Sequence, residues 1–371
     1  MTRHSLRCPL HLIGGAALLL ACDVARADPP PDSGPAASSC AGASGTLGQR
    51  RIDQGRYQAA IDVFTCVIAN DPTDWNGWRG RAEAELRLGR YADAMHDYAR
   101  ITAVVMPDQP DAAEQILSAY DERLGRHPND VAALTGASFA HWWYFDYPAT
   151  LPLLGRLLEL SPDDRYGILY RGSNRLFVGE VEAGMADFEQ ALALSPTSAD
   201  VRFIVADGYT YAYPDPQRAQ AEAMLALDWG LDTPRVHAIL ASSAFALGDD
   251  VTGAYHIGVH IDLVTTEMMP TAALEPGSSL ALDLVAGRTF EMTVTVSAGE
   301  TLSIRTESPS GAIWDSVVAL RDPDGAAVAG NDDFIDYFAG FDWVASEAGT
   351  YTLQVTTFEG VSAGDLVVTR L

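Results

Sequence analysis

Two histidines one helical turn apart, in His256-Ile257-Gly258-Val259-His260, have the spacing of a metal-ligand pair. On a helix their imidazoles share a face. No Glu follows the first His, so the zinc-protease motif with its general base is absent, and the β-branched Ile257 and Val259 weigh against a helix. The expectation is two incidental histidines in a terminal segment. A second constellation is His141-Trp142-Trp143-Tyr144-Phe145, whose rings either fill the space between helices or offer faces to a sugar or a peptide. The acid pairs Asp163-Asp164 and Asp249-Asp250 fall at turns and read as helix caps. Cys40 and Cys66 either form a disulfide or stand as two partly buried thiols, and no C-x-x-C supports a redox or zinc motif. There is no P-loop, no G-x-G-x-x-G and no H-E-x-x-H, and the chain reads as a non-enzyme with no catalytic residue to name.

The balance of charge narrows the partners. The 371 residues carry a formal charge of −26, and all 24 basic residues are Arg, with no Lys. A phosphate backbone must be met by clustered cations, so nucleic acid is excluded as a partner. The acid surplus is either a solubilising surface or an affinity for cations such as calcium. At 48% hydrophobic and 20% charged residues the chain has the composition of a folded protein, with length for two domains.

Residues 1–27 read as an export signal: Arg3 and Arg7 precede an apolar run from Leu12 to Ala21 that is too short to span a bilayer. Two processing sites compete. Ala25-Arg26-Ala27 would release Asp28, and Leu19-Leu20-Ala21-Cys22 resembles a lipobox that would leave Cys22 lipidated. Export to the periplasm, the envelope or the medium is expected, with membrane contact only through a lipid on Cys22. Residues 28–44, rich in Pro, Ser and Gly, read as a flexible spacer.

Elements that could position these groups are written in the breakers. Pro128, Pro162 and Pro196 are 34 residues apart, and Pro72 and Pro107 are 35 apart. Each lies near Asp or Ser, as in DPTD from Asp71, HPND from His127 and SPDD from Ser161. Inside the units a small residue precedes a large one by one turn: Ala60 and Phe64, Ala94 and Tyr98, Gly184 and Phe188. The turn between helices recurs as Gly55-Arg56-Tyr57, Gly89-Arg90-Tyr91 and Gly179-Glu180-Val181. Residues 45–265 therefore resemble the tetratricopeptide repeat family. Between Pro107 and Pro128 there is room for one helix only, the loop from Tyr211 to Pro216 is rebuilt, and the last unit, near Val236 to Asp262, is degenerate. The resemblance implies a superhelix that binds a protein or peptide in a concave groove. By register that groove is lined by Asn76, Arg79, Glu83, Tyr166, Leu169 and Ser173. The family's carboxylate clamp needs Lys, which this chain lacks, so that activity is not carried over.

Residues 268–371 change texture to short alternating runs between turns, such as Ser279–Leu284, Thr301–Thr306 and Tyr351–Thr357. Seven or eight such strands predict a β-sandwich of jelly-roll type. The run from Asp315 to Leu320, Asp322-Pro323-Asp324-Gly325, Asn331-Asp332-Asp333 and Ala348-Gly349-Thr350-Tyr351 resembles the bacterial pre-peptidase C-terminal family. Relatives of that fold hold calcium, and the resemblance implies a site at Asp315, Asp332 and Asp333 if the strand opening at Asp315 lies beside Asn331; otherwise these acids cap turns. No other cofactor is expected. The expected molecule is thus an all-α repeat superhelix followed by an all-β sandwich, an exported binding or scaffold protein. The alternatives are an accessory subunit or substrate holder of a secreted hydrolase, or a carbohydrate-binding protein resting on Trp142 and Trp143.

Overall fold

Each helical unit opens on an acid or hydroxyl that satisfies the first free N–H groups. Asp74 accepts from the Asn76 N–H at 3.0 Å, Asp130 from Ala133 at 3.1 Å, Asp164 from Gly167 at 2.9 Å and Ser198 from Val201 at 3.3 Å. The computed structural model describes residues 40–106, 109–285, 287–309, 315–332, 338–358 and 364–371. The helices run α1 (Gly45–Asp53), α2 (Tyr57–Asn70), α3 (Trp75–Leu88), α4 (Tyr91–Arg100), α5 (Ala112–Arg126), α6 (Val131–Trp143), α7 (Tyr147–Leu160), α8 (Arg165–Phe177), α9 (Val181–Leu194), α10 (Ala199–Asp207), α11 (Pro216–Asp228), α12 (Pro234–Ala246) and α13 (Asp250–Val264). The loop rebuilt around Tyr211 is a π-helical turn, Gly208–Ala212, that prolongs α10.

Small residues let these helices close on large ones. The Phe64 ring of α2 sits where a Cβ on Gly48 or Gly80 would be 2.5 and 2.2 Å away, and the Phe188 ring of α9 does the same to Gly172 and Gly208. The lone helix α5 adopts this role too, with Tyr120 under Gly136 of α6. The result is one continuous apolar seam from Ile68 to Leu240, with a smaller cluster around Phe64 and Ile52 at its start. Residues 256–260 are helical, contrary to the expectation from β-branching, because burial of Ile257 and Ile261 outweighs propensity.

The strands are β1 (Glu267–Pro270), β2 (Ser279–Leu284), β3 (Arg288–Val296), β4 (Thr301–Glu307), β5 (Ser316–Arg321), β6 (Ala327–Asn331), β7 (Gly340–Val344), β8 (Gly349–Thr357) and β9 (Gly364–Arg370). They form two sheets, β1-β3-β8-β5-β6 and β2-β9-β4-β7, antiparallel except for the β1–β3 pair. Register is fixed by pairs such as Val318 with Val355 and Arg305 with Thr369. Leu282, Met292, Ile304, Leu320, Leu353 and Val368 meet in one core between the sheets.

Array and sandwich share a second seam. β5 is buried on both faces: Val318 and Leu320 point into the sandwich, while Val317 and Ala319 pack with Ala241, Ile257 and Ile261. That explains its unbroken apolar run, since a strand covered on both sides need not alternate. Arg321 of β5 clamps the contact, donating to the Gly258 carbonyl at 2.9 Å and to Asp262 at 2.8 Å.

Candidate functional site

The register places Asn76, Arg79 and Glu83 on the inner wall of α3. The structure covers that wall with α5. Tyr120 lies under the Arg79 guanidinium, 4.9 Å from ring centre to carbon, and Arg123 donates to Glu83 at 2.8 Å. Arg79 reaches the same carboxylate at 3.3 Å, so Glu83 is buried between two guanidinium groups. Asn76 stays half-buried, bound to Asp74, the cap of its own helix.

The inner wall of α8 is covered as well. Tyr166 and Tyr170 stack at 4.6 Å and receive Tyr91 of α4 at 6.2 and 5.9 Å. The Tyr166 hydroxyl is bound to Ser138 and to the Thr135 carbonyl of α6. Leu169 and Ser173 are buried in the seam. The start of α4 also reaches α10, where Asp200 accepts from the Ala92 N–H at 3.0 Å, and Arg87 just before it binds Asp164 at 2.8 Å. The expected groove positions are therefore not open: Arg79 and Glu83 face α5, Tyr166 faces α4 and α6, and Leu169 and Ser173 are buried in the seam. Around α3 the cause is the incomplete unit, whose single helix α5 packs on α6, through Tyr120 under Gly136, and also on α3, through Arg123 and Glu83.

Of the two uses open to the aromatic cluster, most of its rings take the first and fill the space between helices. Trp142 is buried against Tyr170 at 5.2 Å, and Trp143, partly buried, packs on Tyr98 and Phe139. Its last member behaves differently. Phe145 is 75% exposed and has φ of 61°, the one non-glycine with positive φ among the described residues. The sequence carries a signal for this, because Phe145-Asp146-Tyr147 stands where other hairpins have Gly-Arg-Tyr or Gly-Glu-Val.

His256 and His260 do not converge. His256 Nδ1 meets His237 Nδ1 at 2.8 Å, and His237 Nε2 meets Asp232 at 2.9 Å. Asp232 accepts, so His237 carries its proton on Nε2 and His256 donates from Nδ1. His260 Nδ1 instead binds the Pro234 carbonyl at 2.8 Å. Burial holds both His256 and His260 down to about 4. Among the described residues no three His, Cys, Asp or Glu side chains gather as a metal site.

Asp315 and Asp332 come to one end of the sandwich beside the array. Tyr211, 42% exposed, lies near both, with the Arg235 guanidinium 5.7 Å from its ring. Asp333, Cys22 and the processing site before Asp28 lie outside the described residues. Cys40 and Cys66 are joined as a disulfide that ties the start of the described chain to α2. A surface hollow of about 680 Å³ is lined by Arg126, His127, Asn129, Asp130 and Arg156. Its two arginines already pair with Glu122 and Glu159.

A stack of helix hairpins with small-on-large packing at a 34-residue period defines a repeat protein of the helix–turn–helix class. Residues 46–110 match the model of the tetratricopeptide repeat family, and the helical part is an array of helix hairpins followed by a β-sandwich. Over 147 residues the chain is 29% identical to tetratricopeptide repeat protein 16 of Macaca fascicularis, which covers 38% of this chain and 15% of that one. The chain thus spans about 15% of the length of that curated relative. A thermophilic tetratricopeptide repeat protein of Thermus thermophilus is similar over 54% of this chain and 96% of its own, at 20% identity and a TM-score of 0.33. The pre-peptidase C-terminal domain of a Bacillus anthracis collagenase is similar over 28% of this chain and 94% of its own, at 13% identity and a TM-score of 0.23. Tetratricopeptide repeats mediate protein–protein interaction.

Proposed function

We propose that this protein is an exported, non-enzymatic scaffold that binds a protein partner through its repeat array and holds the sandwich at a fixed position on the end of that array. The observation that carries the reading is the stack of hairpins itself, whose single apolar seam from Ile68 to Leu240 fixes the helices and leaves their outer faces to solvent. With Arg79, Glu83 and Tyr166 held by the chain's own residues, the partner meets the outer surface. The Cys40–Cys66 disulfide supports export, because such bonds persist in oxidising compartments. Chemical crosslinking in the native cell envelope, read by mass spectrometry, tests the proposal. Crosslinks from residues 45–265 to one recurrent protein are expected, and a chain that crosslinks only to itself would remove the scaffold role. A hydrolase as the recurrent partner would turn the reading to that of an accessory subunit. The proposal extends to calcium at Asp315 and Asp332. A higher Tm in millimolar calcium than in a chelated sample is expected, and equal melting removes the ion.

A further inference from the structure

We propose that the hairpin-turn edge of the array carries a docking strip for a basic segment of the partner, centred on Phe145; the proposal rests on the scaffold reading and names the contact that serves it. The turns within the hairpins need a residue in the left-handed region, and Gly supplies it at Gly55, Gly89, Gly179 and Gly248, with φ from 68° to 86°. The α6–α7 hairpin places Phe145 there instead, at 61°. A bulky side chain at positive φ is strained, and this ring is not repaid by burial, since it is 75% exposed. What the strain achieves is presentation. Phe145 stands edge-on to Tyr147, with centroids 6.3 Å apart, and Tyr147 stacks flat on Phe177 at 4.4 Å. Phe177 ends α8 and is followed by Val178, itself 41% exposed. An apolar strip therefore runs from one hairpin turn to the next.

The charges beside it select the visitor. Asp146 lies between the first two rings in sequence, with its side chain 49% exposed and Oδ2 3.0 Å from His141. Glu180 follows Val178 and is 57% exposed, held loosely by Arg175 at 3.6 Å. Arg171 and Arg175 are both bound to Asp187 at 2.7 Å. The outward charge is thus acidic, on a chain of net −26. Ring faces rimmed by carboxylates recognise a guanidinium or ammonium group through cation–π and ionic contact, with the apolar strip taking a neighbouring aliphatic side chain. The occupant is an Arg- or Lys-bearing segment with interleaved apolar residues.

The test uses the full chain and a fluorescein-labelled peptide of alternating Arg and Leu at about 0.15 M salt, where exposed charges are screened beyond about 8 Å. Phe145→Gly is expected to weaken binding about two- to fivefold while leaving Tm equal to or above that of the parent. Phe145→Trp keeps a ring there and is expected to retain binding. An alternating Glu and Leu peptide is expected not to bind. Equal binding by parent and Phe145→Gly overturns the strip, and so does a lower Tm in Phe145→Gly, which would make the ring a structural one. Envelope crosslinks that lie wholly off the turn edge also remove the strip while leaving the scaffold role intact.

Discussion

Glu85 in α3 shows how a single carboxylate tunes this array. It shares Arg81 with Asp97: Arg81 makes two close bonds to Asp97, at 2.6 and 2.8 Å, and stands 3.8 Å from Glu85. The second oxygen of Glu85 has no hydrogen-bond partner among the described residues. Burial, with Asp97 adding and Arg81 opposing, pushes the Glu85 carboxyl well up, and burial raises Asp97 from 3.8 to about 6. A carboxylate raised in this way binds its proton more tightly folded than unfolded. Its contribution is therefore greatest in acid and declines as pH rises from the ordinary carboxylate value through the folded one. Glu85→Gln is expected to raise stability at neutral pH by about 1 kcal/mol and to flatten its decline between mildly acidic and neutral pH, measured by urea unfolding at several pH values. Equal pH slopes in parent and variant would show that Glu85 is ionised throughout.

At the scale of elements, α5 decides the shape of the array. The 34-residue spacing of prolines makes the hairpins legible in the sequence, and the room for one helix between Pro107 and Pro128 is legible as well. Where that helix lies is not, because its seat is made by contacts 40 residues apart in sequence, such as Arg123 with Glu83. Register alone treats every first helix as facing solvent, so it assigns Tyr166 and Leu169 to a groove. The strand β6, Ala-Val-Ala-Gly-Asn, is hidden for a different reason. Its small residues carry little strand propensity and exist to admit α13: a Cβ on Gly330 would come within 2.9 Å of Ile257. If α5 is held as described, Arg123→Ala leaves Glu83 with Arg79 alone. A loss of about 2–3 kcal/mol is expected by urea unfolding, largely recovered when Glu83→Gln is added. Full additivity of the two changes would disconnect α5 from α3. Reducing the Cys40–Cys66 bond, which closes a loop over a sequence separation of 26, is expected to cost about 3 kcal/mol.

In the whole molecule the end of the array is sealed by the sandwich. The last hairpin of a repeat array exposes an apolar face that a further unit would cover, and here the face of α13 bearing Ile257 and Ile261 is covered by β5 and β6. The seam holds a buried histidine, His260, whose ring lies 5.0 Å from Phe358 and whose Nε2 has no hydrogen-bond partner among the described residues. Burial lowers His260 from 6.5 to about 4, so it enters the fold neutral. A group depressed in this way contributes fully above its unfolded value, and the contribution is lost as pH falls from 6.5 to about 4 while the unfolded chain takes up the proton. The whole loss amounts to about 3 kcal/mol for this one residue. His256, depressed to a similar value beside His237, acts in the same direction. The array and sandwich are expected to unfold together at neutral pH and to separate into two calorimetric transitions as pH approaches 5. Gly258→Val should bring that separation about at neutral pH, because its Cβ would lie 2.7 Å from that of Ala327. A single transition in Gly258→Val at neutral pH would mean that the seam does not couple the two parts. The scaffold would then carry its sandwich on a hinge rather than on a rigid end.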